Sequence, residues 1–351
     1  MASQETKQID DIIASRRALL VGGAAALATF ALPRRANAYT TPASYTDNDI
    51  LNFALNLEYL ESNFYYLAAF GCTINSPNAA AIAAGAPSGG IPITGTGTAG
   101  AVTSNVTAPV PFTYPQVAAY ATEVAIEEGK HVLFLQSVLG SYGVAQPAID
   151  LSTSLFSKVA TDAGLGLTSY TPFASDADFL VGSYIFEDVG VTAYHGAAPL
   201  ISTTATGKVI LSAAVGIHAV EAYHAGLIRT TILALDPTGS LGLLGYTQKI
   251  SALRSTLALA VPQTSSALNQ ASTLDPTPDD YGVSDGTFTV SLANGANVPR
   301  TNIVDAIPSY ILGVARSTSE VLNIVTAGGA TTAGSVSTGG FFPNGLNGLF
   351  Q

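Results

Sequence analysis

Cysteine, tryptophan and basic residues are what this sequence has least of. One cysteine, Cys72, occurs in 351 residues, with one methionine and no tryptophan. A lone thiol can neither close an intrachain disulfide nor build a cysteine-ligated zinc or iron–sulfur centre. Cys72 follows Gly71 and reads as a small buried residue. Charge is scarce too: 11% of residues are Asp, Glu, Lys or Arg, about half the usual share. Thirteen basic residues face 24 acidic ones, a formal net charge of −11. So sparse a basic complement offers nothing for a phosphate backbone to grip, and no nucleic-acid partner is expected.

What is abundant is hydrocarbon, 48% of residues at a mean hydropathy of +0.36. Part of it lies at the N-terminus. A polar stretch ends in Ser15-Arg16-Arg17, an apolar run follows over residues 18–32, and Arg34-Arg35 precedes Ala36-Asn37-Ala38. A charged start, a short apolar core and a small-residue end describe a cleavable export signal. The run is too short and too rich in Ala and Gly to cross about 30 Å of bilayer hydrocarbon. Its paired arginines resemble a twin-arginine signal, cleaved after Ala38, which predicts a periplasmic or secreted protein. Without residues 1–38 the chain keeps 8 basic and 21 acidic residues. The twin-arginine resemblance also implies export in the folded state, with a metal already in place.

Four long apolar segments predict helices over about 47–70, 115–139, 175–201 and 206–235. Asp47 or Asp49 suits the first N-cap and Gly71 its stop, while Pro115 suits a first helical turn. Residues 73–114 carry no charge and are rich in Gly, Ala, Ser, Thr and Pro. They read as an insertion, either ordered on the surface or a loose loop. Some 30 residues from 140 to 174 are enough to cross the length of a bundle. After Asp236 the character changes: 246–262 and 308–327 look helical, 287–292 alternates like a short strand, and the tail is rich in Gly, Thr and Ser. The domains expected are an export signal (1–38), a bundle (45–235, with 73–114 inserted) and a C-terminal extension (236–351) packed on it.

The placement of charge is the informative feature. Glu58 and Glu61 are the only charged residues between 50 and 70; Glu187 and Asp188 are the only ones between 179 and 201; Glu221 is the only carboxylate between 209 and 228. Carboxylates stranded in apolar helices must be paired or neutralised, because burying one alone costs several kcal/mol. The four helices hold only Lys130, Lys208 and Arg229, so another source of positive charge is needed. Glu128 and His131 stand three apart on the second helix, as Glu221 and His224 do on the fourth, which puts each pair on one face. The first and third helices each carry a Glu followed seven residues later by Tyr: Glu58 with Tyr65, and Glu187 with Tyr194. Seven steps bring a side chain back to within about 20°.

Four carboxylates and two imidazoles from four helices form the ligand set of a dinuclear carboxylate site. Four negative charges balance two divalent ions. Mixed oxygen and nitrogen ligands suit iron or manganese, and the choice between the two stays open. Tyr65 and Tyr194 are expected to hydrogen-bond the carboxylates or their waters. Glu61, about 60° around from Glu58, is either a ligand itself or a neighbour of one. Glu127 also shares the face of His131. Asp188 reads as a structural partner of a neighbouring segment, and His195 and His218 as hydrogen-bonded core histidines. An integral membrane protein is disfavoured, since Gly and polar residues interrupt the helices and no Lys/Arg asymmetry marks a topology.

The segment 49–61 (DILNFALNLEYLE), with Phe64-Tyr65, resembles the opening of the ferritin-like proteins grouped with plant desiccation-related proteins. Residues 186–194 (FEDVGVTAY), 219–224 (AVEAYH), 321–325 (VLNIV) and 339–345 (GGFFPNG) fit the same group. The resemblance implies an all-α fold: a ferritin-like four-helix bundle with a long crossover, plus a mixed helical and irregular C-terminal extension. It also implies Glu58, Glu128, His131, Glu187, Glu221 and His224 as ligands of two Fe or Mn ions. The expected partner is a small oxidant, peroxide or O2, in stress or desiccation protection, and there is room for a homo-oligomer. The rival expectation is a non-enzymatic extracytoplasmic protective or adhesive protein on the same scaffold, to which the apolar insertion and Gly-rich tail would suit themselves.

Overall fold

The computed structural model describes residues 45–261, 280–284, 286, 289–291, 297–299, 303–306, 311–329 and 337–350. The expected export signal lies outside them. Helix α1, Asp47–Phe70, starts in a capping box: the Thr46 side chain accepts from the Asp49 amide while the Asp49 carboxylate accepts from the Thr46 amide at 2.9 Å. It stops at Gly71, which is left-handed at φ 69°. A Cβ there would also come within 2.7 Å of the Ala108 backbone, so the position suits only glycine. The short helix α2, Ala79–Ala84, and strand β1, Val102–Ser104, follow in the insertion. Helix α3, Pro115–Leu139, opens on its proline.

The crossover then holds strand β2, Ile149–Leu151, and helix α4, Thr153–Asp162. Helix α5, Asp176–Ala197, is capped by Ser175, and α6, Ala205–Leu235, by Thr204. The sequence pattern carries the third helix to 201. It ends at Ala197, and a 3-10 turn, Ala198–Leu200, takes over where Pro199 has no amide to continue the ladder. Helix α1 packs chiefly on α3 and α5 chiefly on α6, with α1 touching α5. This is an all-α four-helix bundle with one long crossover. Among the described residues one helix, α6, is long and apolar enough to cross a membrane.

The insertion is ordered. It buries Ile74, Ile91 and Val110, and β1 pairs in parallel with β2. Three buried asparagines on α1 dock the surrounding chain. Asn52 donates to the Tyr142 carbonyl and accepts from the Val144 amide, Asn56 does the same with the backbone of Asn347, and Asn63 bonds Gln146 and Ile74. Each amide side chain saturates backbone groups that have no ladder of their own, so uncharged loops can lie against an apolar helix.

The extension adds α7, Leu243–Ala260, β3, Thr289–Ser291, antiparallel β4, Asn297–Pro299, and α8, Thr318–Val325. The helix expected over 308–327 is thus shorter, because Ser317 and Glu320 form a capping box that starts it; residues 307–310 lie outside the described set. Ion pairs fix this extension to the bundle. Asp188 accepts from Arg229 at 2.7 Å and from Arg254 at 2.9 Å, and Asp280 joins Arg254 at 2.8 Å to Arg316 at 3.1 Å. Both guanidinium groups of the Asp188 pair lie over the Tyr184 ring, at 5.1 and 4.7 Å. Asp188 is structural, as read from the sequence. Asp188→Ala strips two buried arginines of a shared anion and is expected to cost about 3–5 kcal/mol, measured by urea unfolding.

Candidate metal centre

Glu58 comes from α1, Glu128 and His131 from α3, Glu187 from α5, and Glu221 and His224 from α6. All six are buried; Glu58, Glu128 and Glu221 have no exposed surface at all. They form two groups, Glu58–Glu128–His131–Glu221 and Glu128–Glu187–His224. In each, one ligand atom per residue lies within 4.8 Å of the others. Glu128 belongs to both. Its Oε2 sits 3.4 Å from His131 Nδ1, and its Oε1 sits 3.0 Å from His224 Nδ1. His131 Nδ1 is also 3.3 Å from Glu58 and 3.7 Å from Glu221, while His224 Nδ1 is 3.4 Å from Glu187.

The donor set fits cations. Glu58 Oε2, Glu128 Oε1, Glu187 Oε2, both Glu221 oxygens and His224 Nδ1 are buried without a hydrogen bond. So many orphaned acceptors converging on one point are intolerable unless positive charge enters. Burial pushes the Glu58 carboxyl up to about 7 against the pull of His131. Burial and the neighbouring carboxylates push Glu61 and Glu221 well above the carboxylate range. Burial also raises Glu187. Burial opposes charge on His131, yet Glu58 and Glu128 outweigh it and push the imidazole up to about 11. Glu128 is held low despite burial, because both imidazoles face it. Protons are here a poor substitute for metal ions, and oxygen-rich donors with two imidazoles suit iron or manganese.

The tyrosines cross over. Tyr65 of α1 donates to Glu187 of α5, and Tyr194 of α5 donates to Glu58 of α1. Each helix thus orients the other's carboxylate, with two-fold pseudosymmetry. His224 Nε2 meets Glu127 Oε2 at 2.8 Å, which turns its Nδ1 lone pair towards Glu128 and Glu187. Glu127 therefore serves the imidazole of the other pair, not that of His131, whose face it shares. Losing any one of these outer hydrogen bonds, as in Tyr65→Phe, Tyr194→Phe or Glu127→Ala, is expected to weaken metal binding about 10–100-fold. Competition against a chelator of known affinity measures it.

Glu61 is buried beside the cluster but belongs to neither group. Its counterpart in the α1/α5 repeat is Gly190, three residues after Glu187. A Cβ on Gly190 would stand 2.3 Å from Glu221 Oε2 and 3.3 Å from Glu61 Oε1. The glycine makes the room both carboxyls occupy, a role visible in the sequence only by aligning the two halves. His195 and His218 lie apart from the cluster, their rings 5.8 Å from one another, and His195 bonds the Val314 carbonyl. Cys72 is half-buried, not fully buried, on the outer face of the core.

A family model for the ferritin-like domain matches residues 46–234, the span of the bundle. The chain belongs to the ferritin-like family. Within it, the chain is 33% identical over 219 residues to the desiccation-related protein PCC13-62 of Craterostigma plantagineum, covering 60% of this chain and 62% of that one. It is 25% identical over 319 residues to the ferritin-like catalase Nec2 of Nesocodon mauritianus, covering 88% and 86% respectively. The chain thus spans somewhat under two thirds of the first relative and most of the second. No solved structure gives a significant match. This ferritin-like protein carries a buried carboxylate–imidazole cluster able to bind metal.

Proposed function

We propose that this ferritin-like protein holds two iron or manganese ions and consumes hydrogen peroxide. The observation that carries the reading is Glu128, whose two oxygens each face a separate imidazole within a cluster of orphaned acceptors. The relative described as a ferritin-like catalase supports the substrate. Glu58, Glu128, His131 and Glu221 would hold one ion, and Glu128, Glu187 and His224 the other. A dinuclear pair supplies a two-electron couple, which matches the two electrons exchanged when two H2O2 become two H2O and one O2.

The residues around it do the remaining work. Tyr65 and Tyr194 keep the Glu187 and Glu58 carboxylates in place, and Glu127 fixes the His224 tautomer. Glu61, whose affinity for protons is raised by burial and by the carboxylates around it, stands beside the cluster. The apolar bundle keeps bulk water away. The export signal expected from residues 1–38 supports an activity outside the cytoplasm, and cleavage after Ala38 would leave a mature N-terminus at Tyr39.

Metal analysis by mass spectrometry and an oxygen-electrode assay, both on protein purified from its own host, test the reading. About two Fe or Mn per chain, with one O2 released per two H2O2 consumed, are expected. A folded protein without metal would overturn it. Metal without turnover would favour a protective, non-enzymatic role, in line with the relative described as desiccation-related.

A further inference from the structure

A cavity of about 220 Å³ lies between α1, α5, α7 and α8. Its walls are hydrocarbon from Leu57, Leu60, Val189, Ile250, Ile324 and Phe341, so the bundle and the C-terminal extension build it together. Three ionisable side chains reach it. Asp162 is paired with Lys158, and Arg254 is held by Asp188 and Asp280. The third, Glu61, makes no hydrogen bond or ion pair among the described residues and stands next to Gly190, where a Cβ would come within 2.3 Å of Glu221 Oε2.

Hydrogen peroxide is small and polar and has no use for such a chamber. An apolar cavity of about 150 Å³ accommodates benzene, so this one fits an organic molecule of about six to eight heavy atoms. A mostly apolar pocket with one polar group left unpaired fixes one end of its ligand there and accepts hydrocarbon along the rest. Arg254 is already held by Asp188 and Asp280, and burying an anionic head without a partner among hydrocarbon walls costs several kcal/mol, so the ligand is uncharged at that end.

We propose that this cavity binds an uncharged alkyl compound with a terminal O–H, an alcohol or a hydroperoxide, whose oxygen donates to the Glu61 carboxyl beside the cluster. The binding stands on the cavity's own geometry; that the bound molecule is a substrate or product of the site rests on the dinuclear reading. In this arrangement the extension shapes which molecules reach the bundle's interior.

Isothermal titration of the metal-loaded protein tests it, with 1-hexanol, 1-hexyl hydroperoxide and 1-hexanesulfonate as ligands and metal content measured on the same samples. The two uncharged compounds should saturate at about one per chain, and the sulfonate should bind at least about tenfold more weakly. The tighter of the two identifies the head group the site is built for. Leu257→Trp and Leu253→Trp place an indole at half-buried positions of the lining. Each should weaken hexanol at least about tenfold while metal content is kept. Failure of hexanol to saturate the folded, metal-loaded chain would overturn the proposal, as would unchanged affinity in both variants. Metal present without hexanol binding removes this inference alone; hexanol binding without metal removes the dinuclear reading alone.

Discussion

Glu128→Ala is expected to empty both metal positions at once. Glu128 is the one residue common to the two ligand groups, with one oxygen turned to each imidazole. On the dinuclear reading, removing it would take a ligand from each ion. It also leaves His131 and His224 with fewer partners to orient them. Metal content should fall from about two per chain to near zero, a loss of at least about a thousandfold in affinity. Glu187→Ala touches only one group and should leave about one ion per chain. Glu128→Gln keeps the shape and removes the charge, so it separates ligand loss from misfolding: helicity by circular dichroism should hold while metal is lost. Equal metal content in Glu128→Ala and the parent would show that Glu128 does not bridge.

Stripping the metal should produce the largest change in stability, and the change should grow with pH. Ions bound at a thousand times their Kd each contribute about 4 kcal/mol. Two such ions contribute about 8 kcal/mol, or roughly 15–30 °C in Tm for a domain of this size. The pH dependence follows from the groups left facing one another. Glu58 is raised from 4.5 to about 7, so the folded state is unaffected below pH 4.5 and loses stability as pH rises through 7. Glu61, Glu187 and Glu221 are raised as well and act in the same direction. His131, raised from 6.5 to about 11, stabilises fully below 6.5 and progressively less above it. Glu128 is lowered, but its effect falls below pH 4.5. The chelated protein should therefore lose Tm steadily from pH 5 to 9. The loaded protein should not, because metal binds more tightly as the ligands lose protons. Calorimetry of both forms across that range reads the widening gap.

The bundle was legible because its signals are local. Long apolar segments with a stop at Gly71 and a start at Pro115 marked the helices, and carboxylates isolated within them pointed inward. The first N-cap, though, is Thr46 and not Asp47 or Asp49, because Asp49 sits at the third helical position and closes the capping box. The clustering of these six side chains was legible for a related reason: two Glu-x-x-His pairs and two Glu–Tyr pairs repeat at helical spacing. What was hidden is relational. Tyr65 could be placed on the face of Glu58, but not across from Glu187, whose position depends on how α1 meets α5. Glu127 shares a face with His131 yet reaches His224, and Gly190 matters through the space it leaves. The extension was hardest to read, since Asp188, Arg229, Arg254, Asp280 and Arg316 come from distant segments and pair only on folding. Even α8 ran shorter than its apolar pattern, because a capping box at Ser317 outranked periodicity.

Anomalous X-ray diffraction at the iron and manganese edges, on crystals of protein from its own host, tests the central claim most directly. The account predicts two peaks of one metal about 3.5–4 Å apart, one within reach of Glu58, His131 and Glu221, the other of Glu187 and His224, with Glu128 between them. A single peak, or peaks away from these six side chains, would contradict it.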